Sequence, residues 1–383
     1  MMHVLFLASY YPNRLHKLKG IFIQRHALAL SSLEKVTVLS AEPDVNMGFR
    51  LLEIKHEENG PLREYVVYYN HRNIGIPFLK NLISFLAFIL GLIIAYVKIT
   101  KQRGKVDKVH LNGAMPVGLF ALLLKWVIRK PYVLTEHGSN LIYSNFLLLS
   151  ALKKRLLKVI IRNARIVTGV THFHANEIKK CSNRGDVQVL ENSIEKHGLI
   201  RNRIPVAEER ERQLCHVSTL SDEKRVKEII SACKVLKEKG IGFKLNIIGG
   251  DESRVRDHQL FAAACGVSEN IRFFGWLEHT KMLEAISQFD VFILNSKFET
   301  FCVAIVEALS CGLPVVAPRL PALEEFVEEE HGVLFDEEKE LLSNAILTII
   351  NRFDSYDPDA LKEYVEKRFS PNELAKKIKG MHA

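Results

Sequence analysis

Two glutamates eight positions apart, Glu299 and Glu307, are the residues of this 383-residue chain best spaced to do chemistry together. They bracket Thr300-Phe301-Cys302-Val303-Ala304-Ile305-Val306, and Ala308-Leu309-Ser310-Cys311-Gly312-Leu313-Pro314 follows. An apolar strand pattern, Val291–Leu294, precedes the segment, and another, Val315–Ala317, succeeds it. Thr300 can cap a helix, and Gly312 with Pro314 can stop one. A helix N-terminus is thus expected at the carboxyl end of a parallel strand, where α/β sheets bind ligands. The N–H groups of Phe301, Cys302 and Val303 lack helical acceptors there, and the helix dipole favours a phosphate. With the whole segment helical, the two carboxylates stand ~12 Å apart along the axis. That is the reach of a diphosphate flanked by two sugars, and a carboxylate accepts two hydroxyl donors at once. On spacing alone, Glu299 could equally be a capping acid and Glu307 a helix-face charge.

Glu-x7-Glu followed by Ala-Leu-Ser-Cys-Gly-Leu-Pro-Val-Val-Ala resembles the donor-site motif of family 4 glycosyltransferases. The resemblance implies that Glu299 contacts the transferred hexose and Glu307 the ribose of a nucleotide-sugar donor, UDP- or GDP-linked. Ser218-Thr219-Leu220-Ser221-Asp222-Glu223-Lys224-Arg225 is similar to the family's second phosphate-binding stretch. Lys224 falls on its lysine, and a cation at a helix start needs an anion to justify it. Thr219 stands where the family has an arginine, and Arg225 is expected to face elsewhere. Gly249-Gly250 resembles the family's Gly-x-Gly turn, and Arg272-Phe273-Phe274-Gly275 the stretch beside the nucleobase. In the first half, Gly20 matches a glycine loop that approaches the donor phosphates. His137, in Thr135-Glu136-His137-Gly138, matches a histidine that contacts the transferred sugar. His110, before Asn112-Gly113, resembles a histidine common at that position and is expected, with Asn112, beside the acceptor cleft. Glu191-Asn192-Ser193 is a variant of the family's Pro-Asn-Gly loop.

The reaction implied is retaining hexosyl transfer to a glycan or lipid-linked acceptor, in cell-surface polysaccharide synthesis. Glu299, His137 and Lys224 are its expected catalytic groups. Helix amides and Lys224 can stabilise the departing nucleoside diphosphate without a metal. Asp357-Pro358-Asp359 has the letters of a metal site but reads as a turn far from the donor motif, so no divalent ion and no cofactor is expected. A hydrolase's paired carboxylates are rejected, because both glutamates belong to one donor-binding helix. A nicotinamide enzyme would need Gly-x-Gly-x-x-Gly after the first strand, which is absent. A sugar-nucleotide epimerase of the same shape and a non-catalytic nucleotide-sugar-binding protein stay as alternatives.

These residues need strand ends to stand on. Val4–Ala8, Val36–Ser40, Lys108–Leu111, Tyr132–Thr135 and Ile166–Gly169 pattern as strands in the first half. Gln213–Val217, Lys244–Ile248, Ile271–Phe274, Val291–Leu294 and Val315–Ala317 do so in the second. Helical patterns such as Gln24–Leu33, Val226–Lys239 and Glu340–Asn351 lie between them. The alternation predicts parallel sheets with helices on both faces, twice over. The expected fold is α/β, of the GT-B kind, with two Rossmann-like domains facing across a cleft. The acceptor domain is 1–195 and the donor domain 196–365, joined by a polar linker, Glu195–Arg212, and residues 366–383 are a helix crossing back to the first domain.

Charge divides the same way. Residues 1–200 hold 28 Lys and Arg against 13 Asp and Glu, and residues 201–383 hold 25 against 31. A basic first half favours an anionic partner. Its cations are interleaved with Leu, Ile and Phe, which points to an anionic membrane surface rather than nucleic acid. The six cysteines have neither paired nor metal-ligand spacing and fit a cytoplasmic protein. Met1–Tyr11 reads as a buried strand, not a signal peptide. Leu82–Val97 is apolar save Ser84 and Gly91, and its ~24 Å falls short of a ~30 Å hydrocarbon core. It is expected to be a buried helix against the first sheet, with an interfacial helix as the second reading. Leu141–Ile161 carries Lys153, Lys154, Arg155 and Lys158 among leucines, as either a solvated face or a lipid-binding one.

Overall fold

The computed structural model describes residues 1–17, 19–48, 50–70, 77–194, 211–338 and 340–383. The chain forms two compact units, Met1–Glu195 with Pro371–Ala383, and Lys196–Ser370. All but the last two residues of the expected linker, Glu195–Arg212, lie outside the described residues.

The first unit runs β1 (His3–Ala8), α1 (Ile21–Ser31), β2 (Lys35–Pro43), β3 (Leu52–Asn59), β4 (Leu62–Tyr69), α2 (Pro77–Arg103), β5 (Lys108–Asn112), α3 (Gly118–Ile128), β6 (Tyr132–Thr135), α4 (Tyr143–Leu147), α5 (Ala151–Asn163), β7 (Ile166–Gly169), α6 (His172–Ser182) and β8 (Val187–Val189). Its sheet has the order β3-β4-β2-β1-β5-β6-β7-β8, parallel except for β3 against β4. Alternation along β1 builds two cores. Leu5 and Leu7 pack with Phe88, Leu92, Phe120 and Ile160 on the side of α2, α3 and α5. Val4, Phe6 and Ala8 pack with Ile23, Ala27 and Leu30 of α1 on the other. Strands buried on both faces must be apolar throughout, and so β1 shows as an unbroken run in the sequence.

The second unit runs β9 (Arg212–Val217), α7 (Val226–Glu238), β10 (Phe243–Ile248), α8 (Glu252–Ala264), β11 (Ile271–Gly275), α9 (His279–Ile286), β12 (Val291–Ile293), α10 (Val303–Ser310), β13 (Val315–Pro318), β14 (Gly332–Phe335), α11 (Leu342–Asn351) and α12 (Pro358–Arg368). All its strand pairs are parallel, in the order β11-β10-β9-β12-β13-β14. α13 (Pro371–His382) then returns to the first unit, where Leu374, Ala375 and Ile378 complete the core under α1. The return begins at Pro371 rather than residue 366, because α12 runs on to Arg368 within the second unit.

Three elements depart from expectation. Asp357 and Asp359 make no free turn: Asp357 caps α12 by accepting the Asp359 amide. The hairpin β3–β4 was not foreseen, since Leu52–Asn59 carries charges in place of an apolar run. Helix α2 is 27 residues long and is buried on one face only. Phe88, Leu92, Ala95 and Ile99 pack on the sheet, while Leu82, Leu86, Leu90, Ile93 and Val97 stand exposed on the opposite face. The segment Lys80–Arg103 is long and apolar enough to cross a membrane by length and composition.

Candidate functional site

In an open parallel sheet the ligand crevice forms where successive connections leave in opposite directions. In the second unit that point lies between β9 and β12. The chain leaves β9 toward β10 and β11, then returns to place β12 on the other side of β9. The loops after these two strands are knitted together. The Lys297 amide donates to the Glu223 carbonyl at 2.8 Å. Arg225 donates Nε–H to the Asn295 carbonyl at 2.8 Å and pairs with Glu337. Arg225 is thus a structural tie between the two loops.

At the centre of these loops Lys224 Nζ lies 2.5 Å from Glu299 Oε1. Both side chains are largely buried, with 24% and 11% exposure. Burial opposes the charge on Lys224, but the nearby charges of Glu299 and the Glu299 hydrogen bond outweigh it and hold the ammonium above its ordinary value. Burial pushes the Cys302 thiol far up, with Glu299 adding to it, so the thiol stays protonated.

Helix α10 begins just beyond. Its first residue is Val303, and Cys302 before it adopts a left-handed backbone with φ 71°. The N-cap position is Cys302, whose side chain makes no cap hydrogen bond, so Thr300 does not hold the expected N-cap position. Because residues 299–302 are not helical, the straight-helix separation of the two glutamates does not carry over. The early amides of α10 still lack helical acceptors, as at any helix start. Phe301 turns its ring inward, stacked on Phe326 at 5.1 Å between centroids, and anchors the turn. Glu307, one turn into α10, is buried and accepts Nε2–H of His279 at 2.7 Å.

Neighbouring strand ends supply the rest. His216 spans the sheet from the Ile293 carbonyl to Ser218 Oγ, both at 2.8 Å, and Ser218 Oγ accepts the Leu220 amide at 3.0 Å. Gly249, at φ 109°, packs so closely on this loop that a Cβ would stand 1.9 Å from the Ser218 carbonyl oxygen. Gly250 abuts Leu220 in the same way. Thr219 is exposed, and Arg254 donates to its carbonyl at 2.9 Å. A guanidinium therefore stands at the loop from which the resemblance found an arginine missing. Phe274 stands one residue before the end of β11, with the Arg272 guanidinium 4.5 Å above its ring. Sequence reasoning missed Arg254 and His279. Both come from helices that carry no motif, and only the fold brings them to Thr219 and Glu307.

In the first unit the corresponding reversal lies between β1 and β5. Gly20, at φ 70°, starts α1 where a Cβ would sit 2.4 Å from the Tyr10 carbonyl oxygen, so only glycine fits. Asn112 ends β5, and its Oδ1 is 3.2 Å from His137 Nε2, just past β6. Glu136 fixes that turn by accepting the amides of Ala114, His137 and Gly138 at 2.7, 3.1 and 3.0 Å. Its burial nevertheless raises its carboxyl above the usual range. His137 is nearly buried beside Phe22 and His26, and burial holds it neutral. His110 and Asn112 do not line a cleft as expected, for both are wholly buried. His110 bridges Thr135 Oγ1 at 2.7 Å and His382 of α13 at 3.2 Å, a core role that ties the returning helix to β5. Asn192, in the Glu191-Asn192-Ser193 stretch, accepts from His26 at 3.0 Å. Among the described residues no three His, Cys, Asp or Glu side chains are grouped to hold a metal ion.

Family comparisons agree with this arrangement. A family model described as Glycosyl transferases group 1 matches residues 200–368, and one described as Glycosyltransferase Family 4 matches residues 35–196. The N-acetyl-alpha-D-glucosaminyl L-malate synthase of Bacillus anthracis is 26% identical over 60% of this chain, which spans 61% of that enzyme's length. TuaC of Bacillus subtilis, assigned to teichuronic acid biosynthesis as a glycosyltransferase, is 23% identical over 98% of this chain and 97% of its own. Among solved structures, the sucrose-phosphate synthase of Thermosynechococcus elongatus superposes with a TM-score of 0.75 at 16% identity, covering 100% of this chain and 98% of that one. That likeness is one of fold, the GT-B fold.

Proposed function

This chain is a member of the family 4 glycosyltransferases, and on that premise we propose that it transfers a hexose-type sugar, with retention, from a UDP- or GDP-linked donor. The acceptor is a glycan or lipid-linked glycan of a cell-surface polysaccharide, and the enzyme works in the cytoplasm at the inner face of the membrane. Relatives named for glycan assembly support the acceptor class. One observation carries the reading: Lys224 and Glu299 meet at 2.5 Å, at the switch point of the second sheet and beside the amide end of α10. A cation beside helix amides can hold a diphosphate and the neighbouring carboxylate can accept sugar hydroxyls, which supports the reading.

In the proposed reaction the bond between the sugar's C1 and the diphosphate oxygen breaks. The acceptor oxygen bonds C1 from the same face, and its proton passes to the departing phosphate. Lys224 and the amides of Phe301, Cys302 and Val303 offset the charge that develops on the leaving group, with no required metal. Glu299 holds the hexose and Glu307 the ribose diol. Gly249 and Gly250 let backbone approach the donor, and Phe274 lies beside the base. Arg254 takes the place of the family's arginine at the Thr219 loop.

The test is thermal shift against a panel of UDP- and GDP-sugars, followed by nucleoside diphosphate release with lipid-linked glycan acceptors and NMR of the product's anomeric centre. Stabilisation by one donor, acceptor-dependent release and a retained anomer are expected. Donor-induced stabilisation without release would leave a binding protein, and an inverted anomer would remove the front-face route.

A further inference from the structure

A surface helix over a sheet ordinarily turns a polar face outward. Helix α2 does not: opposite its core-facing Phe88, Leu92, Ala95 and Ile99, its outer face is Leu82, Leu86, Leu90, Ile93, Ile94 and Val97, with Leu86 and Leu90 each 55% exposed. The same helix layer shows more of this. Trp126 and Val127 project at the end of α3, and Leu148 just after α4 and Leu152 in the first turn of α5 project at 86% and 68% exposure. α2, α3 and α5 share one side of the first sheet, through one core. Ring packing of Tyr96 on Phe120 joins α2 to α3.

The charges of this layer have one sign. No aspartate or glutamate occurs in α2, α3, α4 or α5. Lys98, Lys101, Lys153, Lys154 and Arg155 lie among the exposed leucines. Apolar side chains reaching outward between cations, with no acid to repel an anion, match the interface of an anionic bilayer. A protein partner covering so apolar and so uniformly basic a face would need equally concentrated acid, whereas an anionic membrane presents it at every point.

We infer that the outer surface of the α2–α5 layer docks flat on an anionic phospholipid membrane, with α2 lying in the interface rather than spanning it. Spanning is ruled out by connection: β4 and β5, on either side of α2 in the chain, belong to the same sheet. One face of α2 is moreover committed to that sheet's core. The inference gives the membrane localisation in the proposed function a surface, and it does not depend on the transfer chemistry.

Vesicle flotation of the full chain, without donor, tests it. The wild type is expected to float with phosphatidylglycerol-rich vesicles, and roughly tenfold more weakly with pure phosphatidylcholine or in high salt. Leu86→Ser/Leu90→Ser/Ile94→Ser should abolish flotation while circular dichroism and donor-induced thermal shift stay unchanged. Lys153→Glu/Lys154→Glu should weaken binding to anionic vesicles without touching an apolar residue. Wild type that stays with the soluble fraction in low salt overturns the inference, as does a triple variant that floats unchanged. A dimer by light scattering that the triple variant dissolves, without vesicle binding, would assign the face to a second copy and also overturn it. Donor binding is scored separately, so either result leaves the transferase reading to its own test.

Discussion

Lys224 and Glu299 lie 75 residues apart in the chain and 2.5 Å apart in space, each contributed by the loop after a strand that borders the reversal of the second sheet. Neither group is fully solvated, and Glu299 helps hold the Lys224 ammonium charged against its burial. In the proposed reaction the donor's phosphate lies near the lysine and its sugar hydroxyls near the carboxylate, so the pair would serve two ligand groups of different character.

That coupling sets the first expectation. Lys224→Gln should lower kcat by about 100-fold, the scale of losing one charge-stabilising donor. Glu299→Gln keeps the shape but loses the charge and one of the two acceptor oxygens, and should cost about tenfold or more. In the double variant the losses should fall well short of their product, since each single change also strands a partner. Steady-state kinetics of the four proteins decide it, and fully multiplicative losses would mean that the two residues act separately.

His279 holds Glu307 from α9 at 2.7 Å and so fixes which way the carboxylate faces. His279→Ala should remove one hydrogen bond that orients that carboxylate. The expected result is KM for the donor raised about tenfold, the scale of one charge-assisted hydrogen bond, with kcat nearly unchanged. His279→Gln should restore part of the affinity. A fall in kcat at constant KM would place the residue in the chemistry rather than in donor binding.

What the sequence disclosed follows from physical range. Strands buried on both faces, such as Tyr132–Thr135 and Ile166–Gly169, must be apolar runs, and both stand where the pattern put them. The hairpin strand Leu52–Asn59 is half solvated and at the sheet edge, so no apolar run marks it. Glu299, Glu307 and Lys224 were legible because one loop or one helix fixes each, close to a recognisable stop signal. Arg254 and His279 were not, because tertiary approach alone brings them to Thr219 and Glu307. His110 misled because a strand's carboxyl end looks the same whether the residue faces a crevice or a core, and only α13, far along the chain, decides between them. For α2 the buried reading came first and the interfacial one second, since a helix apolar all round does not say which face lacks a partner.

Cys302 sits at φ 71°, where a side chain crowds the following carbonyl. Cys302→Gly should stabilise the second unit by about 1 kcal/mol, the scale of the left-handed penalty, and raise the Tm by a few degrees. Differential scanning calorimetry measures it. A lower Tm would mean that the packing of the thiol outweighs the strain of its backbone.

Acid should unfold the protein through its buried histidines. His26, His174, His216 and His382 are held to about 4 against 6.5 when exposed, and for each the first cause is burial. The unfolded chain therefore binds more protons than the folded one between pH 6.5 and about 4, so stability falls as pH falls through that window and is unaffected above it. Each histidine contributes a slope of about 1.4 kcal/mol per pH unit where its two states differ fully in protonation. Glu136 acts the other way: its raised pKa makes the folded state the better proton acceptor, which offsets part of the loss. Urea unfolding at pH 8.5, 7.5, 5.5 and 5.0 should give nearly equal stability at the first two values and a steep decline below them. His382→Gln, which removes one titrating group while keeping a side chain that can reach His110, should reduce the slope by about one proton. A stability curve flat from pH 6.5 to 5.0 would show that these rings accept protons without unfolding the core.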